Sequence, residues 1–116
     1  MAKKRKDVLS GDTYKIPTEC GNLYFTMNRD EGEIIEVRCS LGKAGNCVNS
    51  LLKYISILHS ILLQELDTPV VIKTLTKHGV GLSCGSPFFE KGEKMTSCVD
   101  KMCKLMVKEL KKEGKK

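Results

Sequence analysis

The sequence predicts an α+β fold, a small antiparallel sheet of two to four strands packed against about three helices. Three observations carry this reading. Apolar residues alternate with period two in the first third of the chain. From residue 47 onward they recur every three or four residues instead. The strands precede the helices, with no β-α-β alternation to build a parallel sheet.

Each element has a local reason. Thr13-Tyr14-Lys15-Ile16 reads as a short strand, and Pro17, without an N–H, suits an edge or a strand end. Gly21 turns the chain. Leu23, Phe25 and Met27 share one face of the next strand. Arg29-Asp30-Glu31-Gly32 is turn chemistry, and Ile35, Val37 and Cys39 alternate beyond it in a strand ending near Leu41, so the pair forms a hairpin. Gly42-Lys43-Ala44-Gly45-Asn46 connects to the longest helix, Cys47 to Leu66. Leu51, Ile55, Leu58, Leu62 and Leu66 form its expected buried stripe, with Leu52, Ile57, Ile61 and Leu63 widening the arc. Asp67 caps the next helix, Pro69 opens it, Val71, Ile72 and Leu75 form its buried face, and Gly79 ends it. Residues 83–94 read as irregular. Ser97 and Asp100 make a capping-box variant at the start of the last helix, which buries Val99, Met102, Cys103, Met106 and Leu110.

The chain holds 116 residues, room for one domain, and the expected division is a flexible basic arm at 1–11, a folded domain at 12–110 and a basic tail at 111–116. The net charge of +6 comes from the ends. Without residues 1–7 and 108–116, 11 bases face 11 acids. Such ends are solvated tails or phosphate-binding arms, so nucleic-acid binding through them is one expectation. Three Phe and three Tyr give no stacking platform for single strands. The basic start lacks a following apolar segment, and residues 51–66 are too short and too polar to span a bilayer. A cytoplasmic protein without membrane contact is expected, and there its six cysteines serve as thiols or metal ligands rather than disulfides.

Two constellations could carry chemistry. Gly42, Lys43, Ala44, Gly45 and Asn46 precede a helix N-terminus, where free N–H groups and Lys43 favour a phosphate or nucleotide, although the Walker pattern is absent. The cysteines contain no C-x-x-C pair, so position has to sort them. Cys20, Cys47, Cys84 and Cys98 fall at loops or helix starts, where thiolates are accessible and stabilised. Cys39 and Cys103 fall on apolar faces and read as ordinary core residues. His59 and His78 have no evident catalytic partner, and no carboxylate cluster or nucleophile elbow is present.

Four blocks together resemble a TSCPD domain. They are Thr18-Glu19-Cys20-Gly21-Asn22-Leu23-Tyr24-Phe25-Thr26, Glu36-Val37 with Leu41-Gly42-Lys43-Ala44-Gly45-Asn46-Cys47, Gly81-Leu82-Ser83-Cys84, and Thr96-Ser97-Cys98-Val99-Asp100. The last is the naming motif, with Val99 in place of proline. The resemblance implies a module found at the C-terminus of adenosylcobalamin-dependent ribonucleotide reductases and also as small separate proteins. It implies that Cys20, Cys47, Cys84 and Cys98 are the recurring cysteines, candidates for a zinc or iron–sulfur site. The chain is too short for a reductase barrel, so cobalamin would enter only through a partner reductase chain. The resulting expectation is an accessory or regulatory module for deoxyribonucleotide supply, not catalytic alone. A nucleotide- or cyclic-nucleotide-sequestering protein is the alternative, and a homo-oligomer is a further possible assembly.

Overall fold

The computed structural model describes residues 5–18, 21–42, 45–83, 88–90 and 92–113. Strands β1 (Ser10–Thr18), β2 (Gly21–Asp30) and β3 (Glu33–Leu41) form an antiparallel sheet in the order β1-β2-β3. The expected α+β class is therefore the observed one. Glu31 (φ 51°) and Gly32 (φ 86°) make the two-residue turn between β2 and β3, and two successive positive φ angles match the right-handed twist of the flanking strands. Pro17 sits on β1, an outer strand, where its missing N–H costs no ladder bond.

One sheet face is the core. Leu23, Phe25, Met27, Val37 and Cys39 are buried there and meet Met102, Cys103, Met106 and Leu110 of α3 (Cys98–Glu113), with Val71 and Leu75 of α2 (Thr68–His78). Each large apolar side chain so buried contributes about 1.5–3 kcal/mol. The α3 face agrees with its 3.6-residue periodicity. Helix α2 starts after Asp67 with Pro69 in its first turn and stops at Gly79, as the sequence indicated, but the Asp67 side chain makes no capping hydrogen bond; only its carbonyl accepts, from Val70 and Val71. Gly79 is required for a second reason: a Cβ there would collide with Cys103 Sγ, so glycine lets α2 approach α3. The stretch 83–94, expected to be irregular, contains a short hairpin, β4 (Phe88–Glu90) and β5 (Glu93–Met95), which buries Phe88 and Met95.

The long helix α1 (Asn46–Glu65) corrects one expectation. Its stripe Leu51, Ile55, Leu58, Leu62 and Leu66 is not the buried face. Leu52, Ser56, Ser60 and Leu63 are buried instead, while Leu51 and Leu58 are exposed. The reason is that α1 runs along the free edge of β3, and the edge needs hydrogen bonds more than apolar cover. Asn49 Oδ1 accepts from Leu41 N–H at 2.9 Å, and its amide donates to the Leu41 carbonyl at 3.2 Å. Ser60 Oγ accepts from Val37 N–H at 3.0 Å and shares its proton between the Ser56 and Val37 carbonyls. Gln64 Nε2 donates to the Ile35 carbonyl at 3.0 Å. Polar side chains on one helix face thus replace a fourth strand.

Candidate functional site

The segment Thr96-Ser97-Cys98-Val99-Asp100 forms a knot at the start of α3. Ser97 Oγ accepts from Asp100 N–H at 3.0 Å, the predicted helix cap. The Asp100 carboxylate is fully buried and accepts from Gly81 N–H (2.7 Å), Thr96 N–H (3.0 Å) and Lys104 Nζ (3.1 Å). Burial alone would raise its pKa, but the Gly81, Thr96 and Lys104 donors outweigh burial and hold the carboxyl below the usual value. Thr96 Oγ1 donates to the Leu82 carbonyl at 2.8 Å, so the motif also fastens the chain beyond α2.

Four of the six cysteines lie among the described residues. Cys39 and Cys103 are buried. Burial, with the nearby Cys98, pushes Cys39 up to about 12, and burial, with Asp100, pushes Cys103 up to about 11, so both are neutral thiols. Cys98 is half-buried in the first turn of α3, and Cys47 is exposed in the first turn of α1. Cys20 and Cys84 lie outside the described residues. Among the described residues, no three Cys, His, Asp or Glu side chains converge as a metal cluster. The four-cysteine set is therefore represented here only by Cys47 and Cys98.

Of the connector, Gly42 donates its N–H to the Asn22 carbonyl at 2.8 Å, Gly45 is the N-cap position of α1, and Asn46 opens that helix. Lys43 and Ala44 lie outside the described residues. Gly42 does border a groove of about 990 Å³ on the sheet face opposite the core. Its floor is Tyr24 of β2 with Arg38 and Ser40 of β3, and its wall is Lys53, Ile57 and Ile61 of α1. The Arg38 side chain is 70% exposed, with its Nε 3.5 Å from Glu36 Oε1. Glu36 is held mainly by Arg5, whose Nε lies 2.6 Å from Oε2, with Asn28 donating at 2.8 Å; these partners keep its pKa below the usual range against the cost of burial. An aromatic ring, two cations and an apolar wall suit a phosphorylated heterocycle. Sequence reasoning missed these residues. The signal was available in the pairing of Tyr24 with Ser40 and Thr26 with Arg38, which puts their side chains on one outward face.

His59 and His78, unpartnered in the sequence reading, line one smaller apolar cavity of about 340 Å³. His59 Nδ1 is buried without a hydrogen-bond partner among the described residues, and burial lowers the pKa of the ring. No helix among the described residues is long and apolar enough to cross a membrane.

The architecture defines a small α+β module whose described part concentrates its polar chemistry in a capped helix start and an edge groove. Residues 1–110 match the TSCPD domain family, and the chain belongs to it. No curated protein and no solved structure matches the chain.

The Asp100 linkage has a definite sign. Its folded pKa lies below the ordinary aspartate value of 3.8, so its contribution is present above that pH and is lost as pH falls through 3.8 toward the folded value. Asp100→Asn places an amide NH₂ against backbone donors. The expected outcome is a loss of about 2–4 kcal/mol at pH 7, shrinking as both proteins are taken below that range. Denaturant melts at pH 7 and pH 3 measure it, and an unchanged difference at the two pH values would contradict the assignment.

Proposed function

We propose that this chain is an accessory module of deoxyribonucleotide synthesis, docking on a ribonucleotide reductase chain or supplying a C-terminal domain that such a chain lacks. The TSCPD match over residues 1–110 carries this reading. The module is not catalytic alone in this account, and any adenosylcobalamin would be bound by the partner reductase.

A metal held by Cys20, Cys47, Cys84 and Cys98 belongs to the same proposal. Four features support the fit. Cys98 stands half-buried in the first turn of α3, a helix start being a favoured place for a metal-binding thiol. The Thr96–Leu82 hydrogen bond ties the chain two residues before Cys98 to the chain two residues before Cys84. The Gly42–Asn22 bond ties the approach to Cys47 to the exit from Cys20. The Cys39–Cys98 proximity brings α3 to the same end of the sheet, since Cys39 lies two residues before Leu41. Bound zinc would offset the charge of the thiolates and cross-link four connections, a structural role. Elemental analysis of protein purified without added metal tests this: about one zinc per chain, lost in Cys98→Ser, is expected. Iron with visible absorption would point to an iron–sulfur cluster instead, and metal-free protein would remove the metal from the account. Co-purification with a reductase chain tests the docking separately.

A second reading, nucleotide binding, is favoured by Tyr24, Arg38 and Lys53 around the groove beside Gly42. Cyclic nucleotides and sequestration of such a signal belong to this reading. A nucleotide panel at about 1 mM should then raise Tm, because ligands of the native state stabilise it. Arg38→Ala should abolish the shift. No shift with any nucleotide, or a shift indifferent to Arg38→Ala, would count against the groove. A third reading, nucleic-acid binding through the basic ends, loses two of its cations at the N-terminal end, where Arg5 is engaged by Glu36 and Lys6 by Asp30 at 2.9 Å.

A further inference from the structure

Helix α1 turns Asn49, Ser56, Ser60 and Gln64 inward beside Leu52 and Leu63 and leaves a second apolar stripe exposed. With Asn49, Ser56 and Ser60 against β3, the opposite side carries Cys47, Leu51, Tyr54, Leu58, Ile61 and Glu65. These are spaced four, three, four, three and four residues apart, the alternation of a helix–helix seam. All are exposed: Tyr54 61%, Leu51 58%, Ile61 49% and Leu58 43%, with Cys47 and Glu65 exposed beside them. Val48 and Ile57 flank the seam at 43% and 48%. Single exposed leucines need no explanation, but a contiguous apolar strip on the order of 500 Å² marks an interaction surface.

We propose that α1 packs against α1 of a second copy of this chain, antiparallel, about a twofold axis that crosses the exposed face at the level of position 56. The seam is symmetric about that point. Leu51 then meets the partner's Ile61, and Tyr54 meets the partner's Leu58. Cys47 meets the partner's Glu65. Charge favours the same arrangement. The first turn of α1 has no acidic residue, and Gly45 supplies no side-chain cap, so among the described residues that turn itself offers nothing to the positive end of the helix dipole. Glu65 lies in the last turn, the unfavourable end for an acid. Antiparallel pairing brings each Glu65 to the other helix's N-terminus. Parallel pairing would instead set Glu65 on Glu65 and Tyr54 on Tyr54. A stable pair buries roughly 600–1,000 Å² per partner, and the apolar strip supplies most of the lower figure before flanking polar atoms are added. A different partner would not require the seam to mirror itself.

This pairing needs no reductase, and its inner contacts at Leu51, Tyr54, Leu58 and Ile61 need no metal, so purified chain suffices to test it. Sedimentation velocity from about 1 to about 200 µM should give twice the 12.9 kDa chain mass at the upper end, as a micromolar dimer would. Leu58→Lys and, separately, Leu51→Lys should each leave a folded monomer with unchanged far-UV circular dichroism. Glu65→Lys should raise the dimer Kd several-fold, which tests the antiparallel order. A wild-type chain monomeric throughout would overturn the proposal. So would a dimer that survives both lysine variants, and a Kd indifferent to Glu65→Lys would overturn the antiparallel order. A monomer whose α1 instead captures a reductase chain, with capture lost in Leu58→Lys, would overturn it in favour of that partner.

Discussion

The free edge of β3 is the constraint from which the rest of this molecule follows. A three-stranded sheet leaves a row of N–H and C=O groups unpaired on each side, and an open edge invites another strand. Here Asn49, Ser60 and Gln64 reach from α1 to the backbone of Leu41, Val37 and Ile35. Because those polar residues take much of the inward face, Leu51, Ile57, Leu58 and Ile61 turn outward. The groove over Tyr24 and Arg38 exists for the same reason: α1 stands beside the sheet rather than across it and so forms a wall. Edge sealing, groove and exposed seam are three consequences of one helix orientation.

The second organising contact is the buried Asp100. Its carboxylate receives two backbone N–H groups and one ammonium, which is the condition under which a buried charge is tolerated. Through Gly81 and Thr96 it joins the chain after α2 to the start of α3, and Ser97 caps that helix. The TSCPD motif is thus first a folding device. Any chemistry at Cys98 depends on it, because the same bonds fix the first turn in which that thiol sits. Val99 in the place of proline gives up some pre-organisation of that turn, yet the cap is intact.

Much of the fold was legible in the sequence. Period-two alternation located β2 and β3, Pro69 and Gly79 bracketed α2, and the Ser97–Asp100 spacing located the α3 cap. Hairpin β4–β5 was not legible, since strands of three residues carry too little periodicity to register. The α1 face was misread because apolar periodicity reports where hydrophobic residues lie, not whether the chain itself covers them. Ser56 and Ser60 on that helix look like surface residues until the β3 edge is placed beside them. The groove was missed because its floor joins side chains from two strands, each unremarkable alone. The cysteine set was chosen by position and by family resemblance, and two of its members lie outside the described residues.

Amide hydrogen exchange at Val37 and Leu41 tests the central claim most directly. Both N–H groups point away from β2, and their only acceptors described here are Ser60 Oγ and Asn49 Oδ1 on α1. If α1 seals the edge, both amides exchange as slowly as those paired inside the sheet, through the same cooperative opening. Exchange at the rate of an open strand edge, with the β2–β3 ladder still protected, would contradict the account.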